Sequence, residues 1–162
     1  MYFWLVFLHL IGIFLFIIAH GVSASVSFQV RRERNLDRLR ALVELSATSY
    51  PLTYIGLLLL LLTGITAGFM GHWWRSGWIW TSIILLVAII VAMVRFGSSY
   101  FTRLRKAVGS PYRDGNKLHP AEEPASMPEI EALLASGKPW LLTLIGFGGL
   151  ILLAWLMMFK PF

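Results

Sequence analysis

The chain has 162 residues, 57% of them hydrophobic, and a formal charge of +6. Soluble domains lie nearer ~45–50% apolar, so this composition excludes an ordinary water-soluble fold, and the length leaves no room for a separate soluble domain beside a membrane bundle. Cysteine is absent, which excludes disulfides, thiolate metal sites, iron–sulfur clusters and covalently attached haem; His, Met and carboxylates remain as metal ligands.

The first apolar run, Tyr2 to Val26, is long enough to cross a bilayer as a helix, which takes ~17–25 residues. It outruns the ~7–15-residue apolar stretch of a signal peptide and has no basic residue before it, so it reads as a span. Val26 to Val30 continue it without a break, and Arg31, Arg32 and Arg34 then enter the headgroup layer. Leu36, Leu39, Leu42, Val43 and Leu45 follow at helical spacing. This amphipathic stripe either lies on the membrane surface or leads into the second span, with Pro51 kinking the helix in the latter case.

The second run, Pro51 to Met70, carries Gly64-x-x-x-Gly68 and ends at Gly71, His72, Trp73 and Trp74. The third, Trp78 to Val94, opens with Gly77, Trp78 and Trp80. Four tryptophans around one turn read as interfacial anchors. A polar stretch from Gly109 to Gly137 contains four prolines, so its first half is expected to be irregular. Ser126 with Glu129 resembles a capping box and predicts a short amphipathic inner-surface helix over 128–136, with Ile130, Leu133 and Leu134 on one face. The fourth run is Pro139 to Phe159.

Backbone polar groups cannot stay unpaired in hydrocarbon, and these runs show no alternation, so the spans are helices. The expected fold is all-α: one four-transmembrane-helix bundle over 1–162. Its spans lie at about 2–28, 51–71, 77–99 and 139–159, and a polar inner loop occupies 100–138. Small residues (Gly12, Gly64, Gly68, Gly146 and Gly149) are the expected packing seams, because close backbones gain dispersion in lipid.

Of the 14 Lys and Arg, five lie between the first two spans and seven between the last two; only Arg75 and Lys160 fall at the other side. Basic loops stay cytoplasmic, which predicts a multi-pass protein of the cell (inner) membrane with both termini outside. A pI near 10.1 could also signal nucleic-acid binding. The clustering beside span ends favours headgroup contact instead, and no nucleic-acid partner is expected.

Ionisable groups inside spans are costly and so mark candidate sites. Only His9 and His20 qualify. Eleven residues apart, they share a face to within ~20° but stand roughly 16 Å apart along the axis, too far to ligate one iron. Either is a candidate haem ligand, and His9 with His72 a candidate metal pair, since neutral imidazole suits haem or copper. The competing readings are a helix-to-helix hydrogen bond or a proton relay. His119, in the polar loop, is expected to be solvated. No span carries Asp or Glu, and no phosphate loop, HExxH or nucleophile elbow is present, so no catalytic residue is assigned.

Phe7-Leu8-His9-Leu10-Ile11-Gly12, Pro51-Leu52 with Leu57 to Ile65, Gly77-Trp78-Ile79-Trp80 and Arg103-Leu104-Arg105 resemble the copper-resistance-D-like (CopD-like) membrane superfamily. Within it, the chain looks like the uncharacterised family of predicted integral membrane proteins. The resemblance covers about two-thirds of the chain. It implies a helical membrane fold and, from relatives that bind haem b or are linked to copper import, a histidine within the first helix. His9 matches that position and Gly12 the glycine after it; a later glycine is displaced to Gly21, beside His20. Three functions are expected: from the glycine seams and the lack of a reactive constellation, an accessory or scaffold subunit that packs against other membrane subunits or itself; from the resemblance, a haem b protein for electron transfer or porphyrin oxidation, or copper handling.

Overall fold

A computed structural model describes residues 1–162. It contains four helices long and apolar enough to cross a membrane: Tyr2–Val30, Leu36–Met70, Gly77–Ala107 and Pro139–Phe159. The chain is nearly all-α and forms a four-helix bundle. With four crossings, both long connections gather at one end, the basic end. The turn at 71–76 and both termini gather at the other, the terminal end.

Helix α1 (Tyr2–Val30) is 29 residues long, about 43 Å, so it overruns a ~30 Å hydrocarbon core. Helix α2 (Leu36–Thr48) is capped by the Asn35 side chain, which accepts from Arg38 N at 3.0 Å. It leads almost directly into α3 (Tyr50–Met70). The break between them follows from Pro51, which has no N–H to offer Ala47, and Ser49 N, just before it, bonds three residues back to Ser46 O at 3.2 Å.

Helix α4 (Gly77–Ala92) passes through a π-helical segment, Met93–Ser98, into α5 (Ser99–Ala107). The third helix thus runs past residue 99, and the loop expected over 100–138 begins at 108. Its first half is irregular only in part: residues 120–126 carry no regular structure, but a hairpin precedes them. Strands β1 (Tyr112–Asp114) and β2 (Lys117–His119) form an antiparallel hairpin pairing Tyr112 with His119 and Asp114 with Lys117. Gly115 supplies the turn, at φ 56°. His119 is half-buried rather than solvated, stacked on Tyr112 with centroids 4.8 Å apart.

Helix α6 (Met127–Ser136) starts at the capping box, where Glu129 Oε2 accepts from Ser126 N at 3.1 Å. Its apolar face packs on protein. Ile130 and Leu134 are buried in protein, in one cluster with Val26, Val30, Leu39, Val43, Tyr100, Phe101, Leu104 and Val108. This cap at the basic end holds the largest fully buried side chains of the molecule. Arg105 ties its rim together by donating to Glu44 Oε2 at 2.9 Å, Val43 O at 3.1 Å and Pro111 O at 2.6 Å. Helix α7 (Pro139–Thr143), a second π-helical segment (Leu144–Gly148) and α8 (Gly149–Phe159) form the fourth span.

Candidate functional site

Helix α1 is the axis of every candidate site. It crosses α3 at Gly12 and Gly56, where a Cβ on Gly56 would stand 2.9 Å from Phe16 N and 3.0 Å from Gly12 O. No side chain fits between the two backbones. This contact divides the two intramembrane histidines.

Toward the terminal end, His9 Nδ1 lies 2.9 Å from Thr63 Oγ1. The Thr63 hydroxyl has one proton, and it donates that proton to Leu59 O at 2.6 Å. His9 Nδ1–H therefore donates to Thr63, which leaves Nε2 with a free lone pair. The ring edge lies over bare Gly64, where a Cβ would stand 3.4 Å from Cε1. An imidazole oriented through Nδ1 with Nε2 open is the arrangement of a metal-ligating histidine. His9 thus fits as a single neutral donor. Its immediate neighbours, Thr63 and Gly64, offer no second ligand.

Toward the basic end, His20 is 8% exposed. Its ring stacks on Phe16 at 6.1 Å and meets the edge of Phe147 at 4.9 Å. A Cβ on Gly146 would collide with His20 Nε2, so the imidazole presses on bare backbone in the middle of the π-helical segment. Nε2 is buried without a hydrogen-bond partner. No iron fits on this nitrogen in this packing, so His20 does not fit a haem ligand. The two histidines share a face of α1 but meet different helices, because α3 covers the first half of that face and the fourth span the second.

His72 does not join His9. It lies exposed in a left-handed conformation at φ 54°, eight residues beyond Gly64 and roughly 12 Å farther along the axis. No three His, Asp or Glu side chains come together as a metal cluster. Met70, Met157 and Met158 lie at the terminal end and are exposed.

The remaining glycines sort by neighbour. Gly68 faces Ile79 and Trp74 side chains, at 3.2 Å from a built Cβ, and Gly149 receives Ile89. The tryptophan turn is knit together and also holds the termini. Trp73 meets Trp78 at 5.4 Å, Trp74 meets Trp80 at 5.8 Å, and Tyr2 sits edge-on to Trp73 at 6.2 Å. Lys160 Nζ lies 4.2 Å from the Trp73 centroid and 5.4 Å from that of Trp78. Trp78 N donates to Phe162 O at 3.1 Å. A cation–π cage is therefore present, and its occupant is the chain's own lysine.

Sequence reasoning missed Gly56 and the serine cluster in which Ser23 Oγ lies 3.1 Å from Ser46 Oγ and 3.3 Å from Ser49 Oγ. The signal for the latter was Ser23 among the small residues of α1, with Ser46 and Ser49 just before Pro51. No protein-family profile, curated protein or solved structure matches this chain.

Proposed function

We propose that this is a small accessory subunit of the cell membrane, whose work is to pack against another membrane protein or a second copy of itself. In this reading the cap lies in the cytoplasm and both termini lie outside, because the bases gather beside the cap.

One observation carries the proposal. The hydroxyls of Ser23, Thr63 and Ser82 are spent on contacts inside the bundle, while among the exposed apolar side chains of the spans a stripe of α1 is regularly spaced. Phe3, Phe7, Leu10, Phe14 and Ile17 recur at alternating spacings of four and three residues and are 85%, 51%, 47%, 61% and 36% exposed. The next position in that rhythm is Gly21, where a built Cβ meets nothing within 4 Å. A mid-helix glycine costs about 1 kcal/mol against alanine, and nothing within the chain needs it small. A stripe of knobs ending at a glycine suits close approach of another transmembrane helix.

The test is purification in mild detergent and in nanodiscs. A stable oligomer or a co-purifying membrane subunit is expected, and Gly21→Leu, at a position where an added Cβ meets nothing within 4 Å, should release it. A monomer under all these conditions, unchanged by Gly21→Leu, would contradict the reading.

The haem b alternative rests on the Thr63 hydrogen bond that orients His9. Protein from haem-replete cells would then show a Soret band that His9→Ala removes and His20→Ala preserves. A colourless preparation ends that alternative.

A further inference from the structure

A groove of about 370 Å³ opens at the basic end, between the last turns of α1 and the start of α7. It is lined by Phe28, Gln29, Arg32 and Trp140. Phe28 and Trp140 form its apolar wall, edge to face with centroids 5.0 Å apart. Trp140 is 75% exposed, so the bundle does not use this ring to fill its own interior.

Arg32 stands at the rim without a carboxylate partner. The bases that do form ion pairs are Arg34, Arg38, Arg40, Arg105 and Lys106, all on the cap. The nearest acid in sequence, Glu33, is already engaged: its carboxylate accepts from Arg34 N and Asn35 N, both at 2.9 Å, and meets Arg38. Gln29 donates to Ser25 Oγ at 3.0 Å, which spends one of its two amide hydrogens and leaves the other free. The mouth of the groove is therefore positive and offers unspent donors, while its wall is aromatic.

We infer that this groove is a binding site for one anionic phospholipid. The phosphate sits on the Arg32 guanidinium with the Gln29 amide beside it, and an acyl chain lies along Phe28 and Trp140. The groove marks the level at which α1 passes from apolar residues to arginine, which is where a headgroup joins its chains. A free phosphate would gain only the rim, and a neutral apolar chain only the wall; an anionic lipid satisfies both. Arg32 makes no side-chain hydrogen bond within the protein, so nothing in the fold competes for it.

The experiment uses the full chain in detergent, with phosphatidylglycerol and phosphatidylcholine of matched acyl chains, and native mass spectrometry to count retained lipids. The expected result is one retained lipid, with phosphatidylglycerol favoured about fivefold, the effect of one surface base on an anionic headgroup. Arg32→Gln should abolish the preference. Trp140→Ala should weaken retention of both lipids. Arg113→Gln, an unpaired base on the distant hairpin, should change nothing. Displacement of the lipid by millimolar inorganic phosphate would point to a plain anion site and overturn the inference. So would equal retention of both lipids, or an equal loss in Arg113→Gln, which would mark a diffuse field. Copy-to-copy crosslinking through Trp140→Cys would overturn it too, since a second chain would then fill the groove.

Discussion

At the basic end, the side chains withdrawn completely from the surroundings are large: Leu39, Leu104, Ile130 and Leu134. Between the spans, the contact of α1 with its neighbours buries small or polar positions (Gly12, Ala19, Gly56, Thr63 and Gly146), and the large side chains that α4 and the fourth span bury, Trp78, Ile79, Ile89, Leu142, Leu153 and Leu156, each keep 4–8% of their surface exposed. The two regions obey different solvents. The cap faces water, where burying a leucine is worth about 1.5–3 kcal/mol, so it builds a core as a soluble domain does. In the spans, lipid is as apolar as leucine and gives no reward for burying one. There the gain comes from backbones brought close and from hydrogen bonds such as His9 to Thr63.

This contrast can be broken first by shaving the cap. Leu104→Ala or Leu134→Ala should cost about 2–5 kcal/mol. Leu152→Ala, on the lipid face of α8, should stay within about 0.5 kcal/mol. Unfolding in mixed micelles measures both; equal losses would mean that the cap is not the stable part. The converse test adds bulk to the spans. Gly56→Val should cost about 1–3 kcal/mol, because the new side chain meets the backbone of Phe16 and Gly12 and neither can yield. Gly21→Val, facing open space, should cost the monomer little.

Gly146→Ala sharpens the comparison at a single site. Its methyl would occupy the place of His20 Nε2, so the ring must leave its position against Phe147. His20→Ala combined with Gly146→Ala should recover part of the loss, a coupling of about 0.5–3 kcal/mol for residues in contact. Strict additivity would show that the ring does not rest there. The weakest expected effect is at the hairpin. Tyr112 donates to Glu122 Oε1 at 2.8 Å, and that bond, with the carboxylate's charge, raises the phenol's pKa above its usual value. The hairpin's contribution should be complete below the unfolded value of about pH 10 and fall as pH rises through the folded one. Thermal midpoints of the parent should therefore drop more steeply than those of Tyr112→Phe over that window.

The spans were legible because length and continuity alone decide them. The start of α6 was legible too, since Ser126, Pro128 and Glu129 each perform a cap role. The α5 extension was not, because Arg103, Arg105 and Lys106 read as a loop. Tyr100, Phe101, Leu104 and Val108 nevertheless recur at helical spacing, and all four are buried. The hairpin had its signal in Asp114-Gly115 between Tyr112 and Leu118, outweighed by four nearby prolines. The Gly12–Gly56 crossing and the setting of His20 lay beyond the sequence. Which glycine meets which helix depends on crossing geometry, and a pattern within one helix carries no information about its neighbour.

The absence of cysteine permits the most direct measurement. Single cysteines at Arg75→Cys, on the tryptophan turn, and Asn116→Cys, at the tip of the hairpin, can be probed in intact cells with a membrane-impermeant maleimide. The proposed orientation predicts labelling of Arg75→Cys from outside, and labelling of Asn116→Cys only after the membrane is opened. Labelling of Asn116→Cys in intact cells would contradict it.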